Sequence, residues 1–207
     1  LLAFFLGYGK RILPGKITNF SIRMASIGYA IPGTVIAVGV IIPFAWLDGR
    51  IDGLMQSSFG ISSGLVFSGT IFSVMFAYVV RFLAISLQAV ESGLGKIKPS
   101  MDAAARSLGS RPVETLFKIH IPLMKSSTLT ALMIVFFDVL KELPATLILR
   151  PFDFNTLAVR AFELASDERL ADSSIAALTI VLVGLAPVIY LSKIISQSRV
   201  EQVHIKI

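Results

Sequence analysis

The chain has 207 residues, of which 55% are hydrophobic and 15% are charged, and its mean hydropathy is +0.80. Because soluble domains carry about a quarter charged residues, this composition excludes an ordinary soluble domain and indicates an integral membrane protein. The absence of cysteine excludes disulfides, thiolate metal sites and cysteine nucleophiles, and two histidines argue against a histidine-rich metal cage. The net charge of +6 does not indicate nucleic-acid binding, because the cations flank apolar segments.

The predicted elements are four membrane spans preceded by a short apolar segment. Residues 1–8 are apolar but too short to cross a bilayer, and are either the end of a longer helix or an interfacial segment. Arg81, near the end of the second span, is expected to be a simple anchor whose long side chain reaches the membrane surface. The predicted fold class is therefore all-α, a polytopic transmembrane helical bundle. The spans cover residues 25–46, 64–87, 126–149 and 173–196, separated by loops at residues 47–63, 88–125 and 150–172.

The intervals between the spans differ in charge. Residues 9–24 contain four lysines and arginines and residues 88–125 contain six, whereas residues 47–63 contain one. In residues 150–172 three arginines are outnumbered by five acids. The positive-inside rule then predicts that residues 9–24, residues 88–125 and the C-terminus lie in the cytoplasm.

The first half of the segment 99–125 has the pattern of a short helix. Ser100 is its predicted N-cap, and Asp102 lies in the first turn, where the helix dipole favours an anion. Ala103, Ala104 and Ala105 are strong helix formers. We expect these alanines to present a face with little side chain, which another protein can approach closely. The alternative is a generic amphipathic loop helix.

The second half of this segment has the pattern of a glycine turn and another helix. Gly109 is predicted to end the first helix, and Ser110 to cap the second. Pro122 is predicted to end or bend the second helix near His120. The segment is thus predicted to be a helix, a tight turn and a helix between two membrane spans.

The spacing in this segment resembles the cytoplasmic loop of the permease subunits of type I ABC importers. That loop has the pattern Glu-Ala-Ala, three residues, Gly, nine residues, Ile, one residue, Leu-Pro. This chain departs from the pattern in having alanine at the glutamate position, with Asp102 one residue earlier, and isoleucine for leucine. The matching residues are Ala103, Ala104, Ala105, Gly109, Ile119, Ile121 and Pro122.

The resemblance implies that residues 1–207 form an ABC transmembrane type-1 domain of the bacterial inner membrane, and we expect it to be the C-terminal half of a longer permease. Residues 88–125 would be the cytoplasmic loop that couples it to a dimer of ATPase subunits. The chain lacks the Gly-x-x-x-x-Gly-Lys phosphate loop, so ATP and Mg are expected on that separate subunit, with no cofactor and no catalytic residue on this chain. The other expected partners are a periplasmic binding protein, a second permease half, fused or separate, and membrane lipid, but no nucleic acid.

Three charged residues near the centre of the third predicted span form a candidate translocation pathway or gate. Asp138, Lys141 and Glu142 have spacings that would place them on one helix face, with Lys141 partly neutralising both acids. Charges at this depth usually face a bundle interior or a water-filled path. Pro144 removes a backbone hydrogen bond, as in the discontinuous helices of transporters. The alternative is a structural set of ion pairs that joins helices.

Residues 138–158, DVLKELPATLILRPFDFNTLA, resemble the ferric-iron branch of these permeases. The resemblance implies a substrate delivered by a periplasmic ferric-binding protein. Hard cations prefer carboxylate oxygens, so Asp138 and Glu142 are the candidates for transient contact with the metal. Sulfate, thiamine and phosphonate permeases share the loop pattern and remain alternative substrate classes.

Residues 150–172 are the predicted docking surface for the binding protein. Asn155 or Thr156 is expected to cap a helix through Leu164. The alternative is an amphipathic helix lying at the membrane interface. The candidate docking residues are Arg150, Asp153, Glu163 and Arg169.

Two rival functions of the chain are a gradient-driven secondary transporter, with Asp138 and Glu142 as an ion relay, and a membrane scaffold protein.

Overall fold

The computed structural model describes the backbone of residues 1–204 and the side chains of residues 1–190. Across this part of the chain the secondary structure is helical, without strands, and the predicted all-α class is confirmed. The helices are α1 (Leu2–Ile12), α2 (Lys16–Ile27), α3 (Gly33–Phe59), α4 (Ile71–Gly95), α5 (Pro99–Ser107), α6 (Pro112–Thr115), α7 (Ile121–Leu123), α8 (Lys125–Leu140), α9 (Pro144–Leu149), α10 (Leu157–Ser166) and α11 (Leu170–His204), with a π-helical turn, Leu116–His120, between α6 and α7.

Three of these helices are long and apolar enough to cross a membrane: α3, α4 and the Leu170–Tyr190 part of α11. The pair Pro112–Leu123 and Lys125–Leu140, bent by 81°, meets the same criterion as one broken span. Helix α8 alone has 16 residues and rises about 24 Å, less than the ~30 Å hydrocarbon core. The third predicted span, residues 126–149, is therefore interrupted.

The first predicted span, residues 25–46, is wrong at both ends. Helix α2 ends at Ile27, and α3 begins at Gly33 after the extended residue Pro32. Proline is tolerated at a helix start but disfavours a helical residue before it, so the chain breaks here. Helix α3 then continues to Phe59, so most of the predicted loop 47–63 is helical. The second span is displaced towards the C-terminus, to Ile71–Gly95, and the fourth lies within α11.

Helix α3 continues beyond Leu47 because Asp48 is buried and fully partnered. Its carboxylate accepts hydrogen bonds from the backbone N–H groups of Val66, Phe67 and Ser68 at 3.1, 2.9 and 2.8 Å, and from the Ser68 hydroxyl. Only 1% of Asp48 is exposed. Successive backbone amides that converge in this way form an anion-binding nest. The carboxylate therefore fixes the α3–α4 connection onto α3.

The chain divides into two compact units, each with its own apolar core. The elbow unit comprises Leu1–Ser26, Leu83–Phe137 and the chain from Gly184 onward, and the break unit comprises Ile27–Phe82 and Asp138–Val183. The core of the elbow unit is formed by Ala3, Tyr8, Ile22, Leu87, Val90, Leu94, Ile97, Leu116 and Met124. The core of the break unit is formed by Ile36, Ala37, Val40, Val74, Ala77, Ala145 and Leu149.

We predict that Asp48→Leu destabilises the chain, because it leaves one buried and two partly buried backbone N–H groups without an acceptor. The expected loss is about 3 kcal/mol, which lowers the melting temperature of a chain of this length by about 9 °C. The matched control is Asp52→Leu on the same helix, because Asp52 is half-buried and accepts its bonds from Ser62 and Ser63. Thermal unfolding in detergent measures both variants, and equal shifts would contradict the special role of Asp48.

Candidate functional site

The elbow, residues 99–123, contains the predicted glycine turn. Gly109 has a φ of +79°, in the left-handed region that favours glycine. Its N–H donates to the carbonyl of Arg106 at 3.0 Å, and the N–H of Ser110 donates to the carbonyl of Ala105 at 3.0 Å. These bonds close the end of α5 in the manner of a glycine C-cap, so the helix stop predicted at Gly109 is confirmed.

The predicted caps of the two elbow helices are wrong. Helix α5 follows Lys98, and α6 follows Arg111, so neither Ser100 nor Ser110 is the N-cap. Each helix instead begins at a proline, whose fixed φ suits the first helical position and whose missing N–H is not needed there. The Ser110 hydroxyl accepts a bond from the Thr115 hydroxyl at 3.1 Å.

The bend predicted near His120 lies farther along the chain. The helix widens into a π-turn at Leu116–His120 and continues through Pro122 to Leu123, and the 81° bend follows at Met124. Pro122 occupies the first turn of α7, where a missing N–H is tolerated.

Asp102 is the centre of a partly buried polar network in the elbow unit. One oxygen accepts from Arg11 Nε at 2.8 Å and lies 2.7 Å from Arg11 Nη2, while the other lies 2.6 Å from His120 Nε2. Arg11 also donates to the backbone oxygens of Leu94 and Ile97, at the end of α4. Both oxygens of the Asp102 carboxylate are therefore bonded, although alanine occupies the glutamate position of the family pattern.

Arg11 and His120 were not among the predicted site residues. Arg11 lies near the end of α1, far from the elbow in the sequence, and its only signal was that it belongs to the basic interval 9–24. His120 is fully buried, and its ring centre lies 5.0 Å from that of Tyr8. Burial raises the pKa of Asp102, but the hydrogen bonds from Arg11 and His120, with the positive charge of Arg11, outweigh it and hold this pKa below its usual value.

The outer side of the elbow is accessible, although the three alanines do not share one face. Ala103 and Ala104 are exposed, whereas Ala105 is buried, because consecutive helical residues point in different directions. Ile119 is half-buried and Pro122 is exposed. Leu108, beside the glycine turn, is 87% exposed. Three exposed cations accompany this surface: Arg106, Arg111 and Lys118.

In the break unit, the buried carboxylate of Glu142 is held at the interruption between α8 and α9. One oxygen lies 3.2 Å from Arg81 Nε, and the other accepts from the backbone N–H of Ala145 at 3.1 Å. The Thr146 hydroxyl donates to the Glu142 carbonyl at 3.0 Å. Pro144 is in the first turn of α9, so Glu142 caps the helix that this proline begins.

Two expectations about these charges are wrong. Helix α8 ends at Leu140, so Asp138, Lys141 and Glu142 do not share one helix face. Lys141 is 69% exposed and pairs with Asp138 at 2.9 Å. The cation beside Glu142 is Arg81, whose side chain is 19% exposed and is therefore an ion-pair partner rather than a surface anchor.

Gly33 allows this pairing by its lack of a side chain. A Cβ at Gly33 would lie 2.8 Å from a Glu142 carboxylate oxygen and would overlap Nη1 of Arg81. Such distances require the charged groups to move. The first residue of α3 is therefore packed against the ion pair.

The candidate docking residues do not form one cluster. Arg150 pairs with Glu163 at 2.7 Å, Arg169 pairs with Asp172 at 2.6 Å, and Asp153 is exposed. Thr156 caps α10 by accepting from the Val159 N–H at 3.3 Å, so the predicted helix and one of its two candidate caps are confirmed. Within the described residues, no group of three His, Asp or Glu could hold a metal. Transient contact of Asp138 and Glu142 with a metal stays a prediction.

The model of one protein family, described as the binding-protein-dependent transport system inner membrane component, matches residues 1–201. The chain belongs to this family. The chain is thus a permease component of a type I ABC importer, and its apolar helices agree with a multi-pass protein of the inner membrane. This family is one of transport components rather than enzymes.

Individual permeases are similar to this one at low identity. The Fe(3+)-transport system permease protein FbpB 2 of Haemophilus influenzae is 26% identical over 83% of this chain and 31% of its own length. A Salmonella typhimurium permease named for 2-aminoethylphosphonate transport, PhnV, is 30% identical over 75% of this chain and 52% of its own. The ferric transport system permease protein FbpB of Actinobacillus pleuropneumoniae is 23% identical over 83% of this chain and 23% of its own length. This chain therefore spans about half or less of these relatives.

We predict that Glu142→Gln destabilises the permease by about 3 kcal/mol, because it leaves Arg81 as a buried charge without its counterion. Lys141→Gln is the matched control, since it removes an exposed partner and is expected to cost less than about 1 kcal/mol. Thermal unfolding in detergent compares the two. The double variant Arg81→Met with Glu142→Leu should recover most of the loss, and equal destabilisation by the two single variants would contradict this account.

Proposed function

We propose that this permease component imports ferric iron, delivered by a periplasmic binding protein, with energy from ATP hydrolysed on a separate subunit. The elbow supports this proposal because its outer surface is exposed, cationic and formed by small residues. Behind this surface, Asp102 is held by Arg11 and His120. Ala104 and Leu108 offer close approach and an apolar tip, while Asp102 fixes the helix from behind. A surface that transmits force must be both accessible to its partner and firmly held, since a loose helix would absorb the movement of that partner.

The proposed orientation places the elbow and the C-terminus in the cytoplasm, beside an ATPase dimer that carries ATP and Mg. The support is the charge distribution: residues 88–125 contain six lysines and arginines, and residues 150–172 are net acidic. The acidic interval would then face the periplasm, where the surface around Arg150, Asp153, Glu163 and Arg169 would receive the binding protein. A second permease half, fused or separate, would complete the pathway.

Within the proposed pathway, the interruption between α8 and α9 is the candidate gate. Helix breaks inside membranes expose polar backbone, which is tolerated where protein or a water-filled cavity surrounds it. Glu142 and Arg81 satisfy this break together, and Asp138 lies one turn before it. Displacing Arg81 would free a carboxylate, the ligand type that a hard cation prefers.

Phosphonate is the second candidate substrate, favoured by the 30% identity with a permease named for 2-aminoethylphosphonate transport. Ferric iron is preferred because two permeases named for ferric transport each align over 83% of this chain, against 75% for the phosphonate permease. The carboxylates Asp138 and Glu142 also suit a cation better than an anion.

The ATPase contact is tested by Ala104→Trp, which adds a bulky side chain to the exposed side of α5. We expect about tenfold or more weaker association with the ATPase and a parallel loss of transport, both measured on the complete importer by co-purification and vesicle uptake. Ala165→Trp, on the exposed side of α10, is the matched control and should keep the ATPase. Full association and transport in Ala104→Trp would refute the elbow as the contact.

The substrate is tested by uptake into vesicles that contain the complete importer and its binding protein. We expect ATP-dependent accumulation of ferric iron and none of 2-aminoethylphosphonate. The opposite result would establish the phosphonate alternative. Uptake that continues without ATP, driven by an ion gradient, would instead support the secondary transporter.

A further inference from the structure

Arg11 connects three segments of the elbow unit that are separate in sequence. It lies at the end of α1, contacts Asp102 in α5, and donates to the carbonyls of Leu94 and Ile97 at the end of α4. A guanidinium presents several N–H donors in a rigid planar fork, so one arginine can make these bonds together. A lysine ammonium lacks this fork.

His120 completes the network from the other side. Its Nε2 lies 2.6 Å from the second Asp102 oxygen, and an ionised carboxylate only accepts, so Nε2 carries the donated proton. The ring is fully buried and lies beside Tyr8 of α1. Helix α5 therefore cannot shift against α1 or the π-turn without breaking a charge-assisted hydrogen bond in a partly dehydrated site.

We propose that Arg11, Asp102 and His120 form a clamp that makes the elbow move as one body with the end of α4. Force applied to the exposed side of α5 then reaches this membrane span through Arg11. The proposal rests on the proposed function of the elbow as the ATPase contact. The three are positioning residues, because the side chains of Arg11 and Asp102 are each 18% exposed and that of His120 is 0% exposed.

The neighbouring residue Lys10 provides a matched control. Lys10 pairs with Glu91 at 2.7 Å and so also joins α1 to α4, but this ion pair does not involve a residue of the elbow. The side chains in this pair are 42% and 32% exposed. Removing Lys10 therefore weakens the α1–α4 contact and leaves the clamp intact.

Two measurements test the clamp, one of them independent of transport. The chain contains no cysteine, so Leu108→Cys offers a single labelling site at the exposed tip of the elbow. A spin label there should become more mobile in Arg11→Gln than in the parent, measured on the permease before the ATPase is added. Arg11→Lys should give intermediate mobility, because it keeps the charge and loses the fork, and Lys10→Gln should match the parent.

The second measurement is the amount of substrate transported per ATP hydrolysed by the reconstituted importer. Arg11→Gln should lower this ratio about fivefold or more, while Lys10→Gln should not change it. If Arg11→Gln does not accumulate in the membrane, Asp102→Asn, which keeps the side-chain shape, is measured with the same expectations.

Unchanged mobility and an unchanged ratio in the clamp variants would overturn the proposal, and so would equal effects of Lys10→Gln. Failure of the parent permease to bind any ATPase would overturn the proposed function instead. The label mobility would still report on the clamp in that case, so the two failures are distinguishable.

Discussion

Partnered carboxylates near helix ends are the constraint on which this structure depends. Asp48 binds three backbone amides before α4, Asp102 at the start of α5 binds Arg11 at the end of α1, and Glu142 caps α9. A charge buried without a partner costs several kcal/mol, and so do the free N–H groups of a broken helix in an apolar environment. Asp48 and Glu142 reduce both penalties, because the break supplies backbone N–H donors to each carboxylate, whereas Asp102 is held by the side chains of Arg11 and His120.

This pairing of charges and breaks explains why the helical class was predictable while the helix boundaries were not. Apolar content identifies a membrane protein, but an assignment from hydropathy tends to place acidic residues in solvent-exposed loops. Asp48 and Asp52 were therefore assigned to a loop, although the helix continues through both to Phe59. Pro32, one residue before α3, was a local signal for this helix start, but the hydropathy pattern placed it inside the first predicted span.

The elbow and the proposed gate show that a spacing pattern predicts features formed by residues close in sequence, but not contacts made by residues on other helices. The motif located the Gly109 turn and the exposed Ala104, because these features depend on residues close in sequence. It did not identify Arg11 or Arg81, which reach their carboxylates from other helices. Local spacing instead assigned Lys141, three residues after Asp138 and adjacent to Glu142, to both acids, since neighbours along the same helix are the only partners that a single helix can reveal. The interruption at Leu140 removed that helix and, with it, the basis for the assignment.

The 81° bend after Leu123 limits how a push on the elbow can reach the membrane. A force directed along α7 does not continue along α8, because a helix transmits compression along its axis and the axis changes direction at Met124. The end of α4 offers another route, since Arg11 binds Asp102 together with the carbonyl of Leu94 in the last turn of α4 and that of Ile97 just beyond it. Helix α4 continues without a break from Ile71 to Gly95 and includes Arg81, the counterion of Glu142. Within the elbow unit, a push on the elbow would therefore reach α4 through Arg11 without requiring α8 to transmit it.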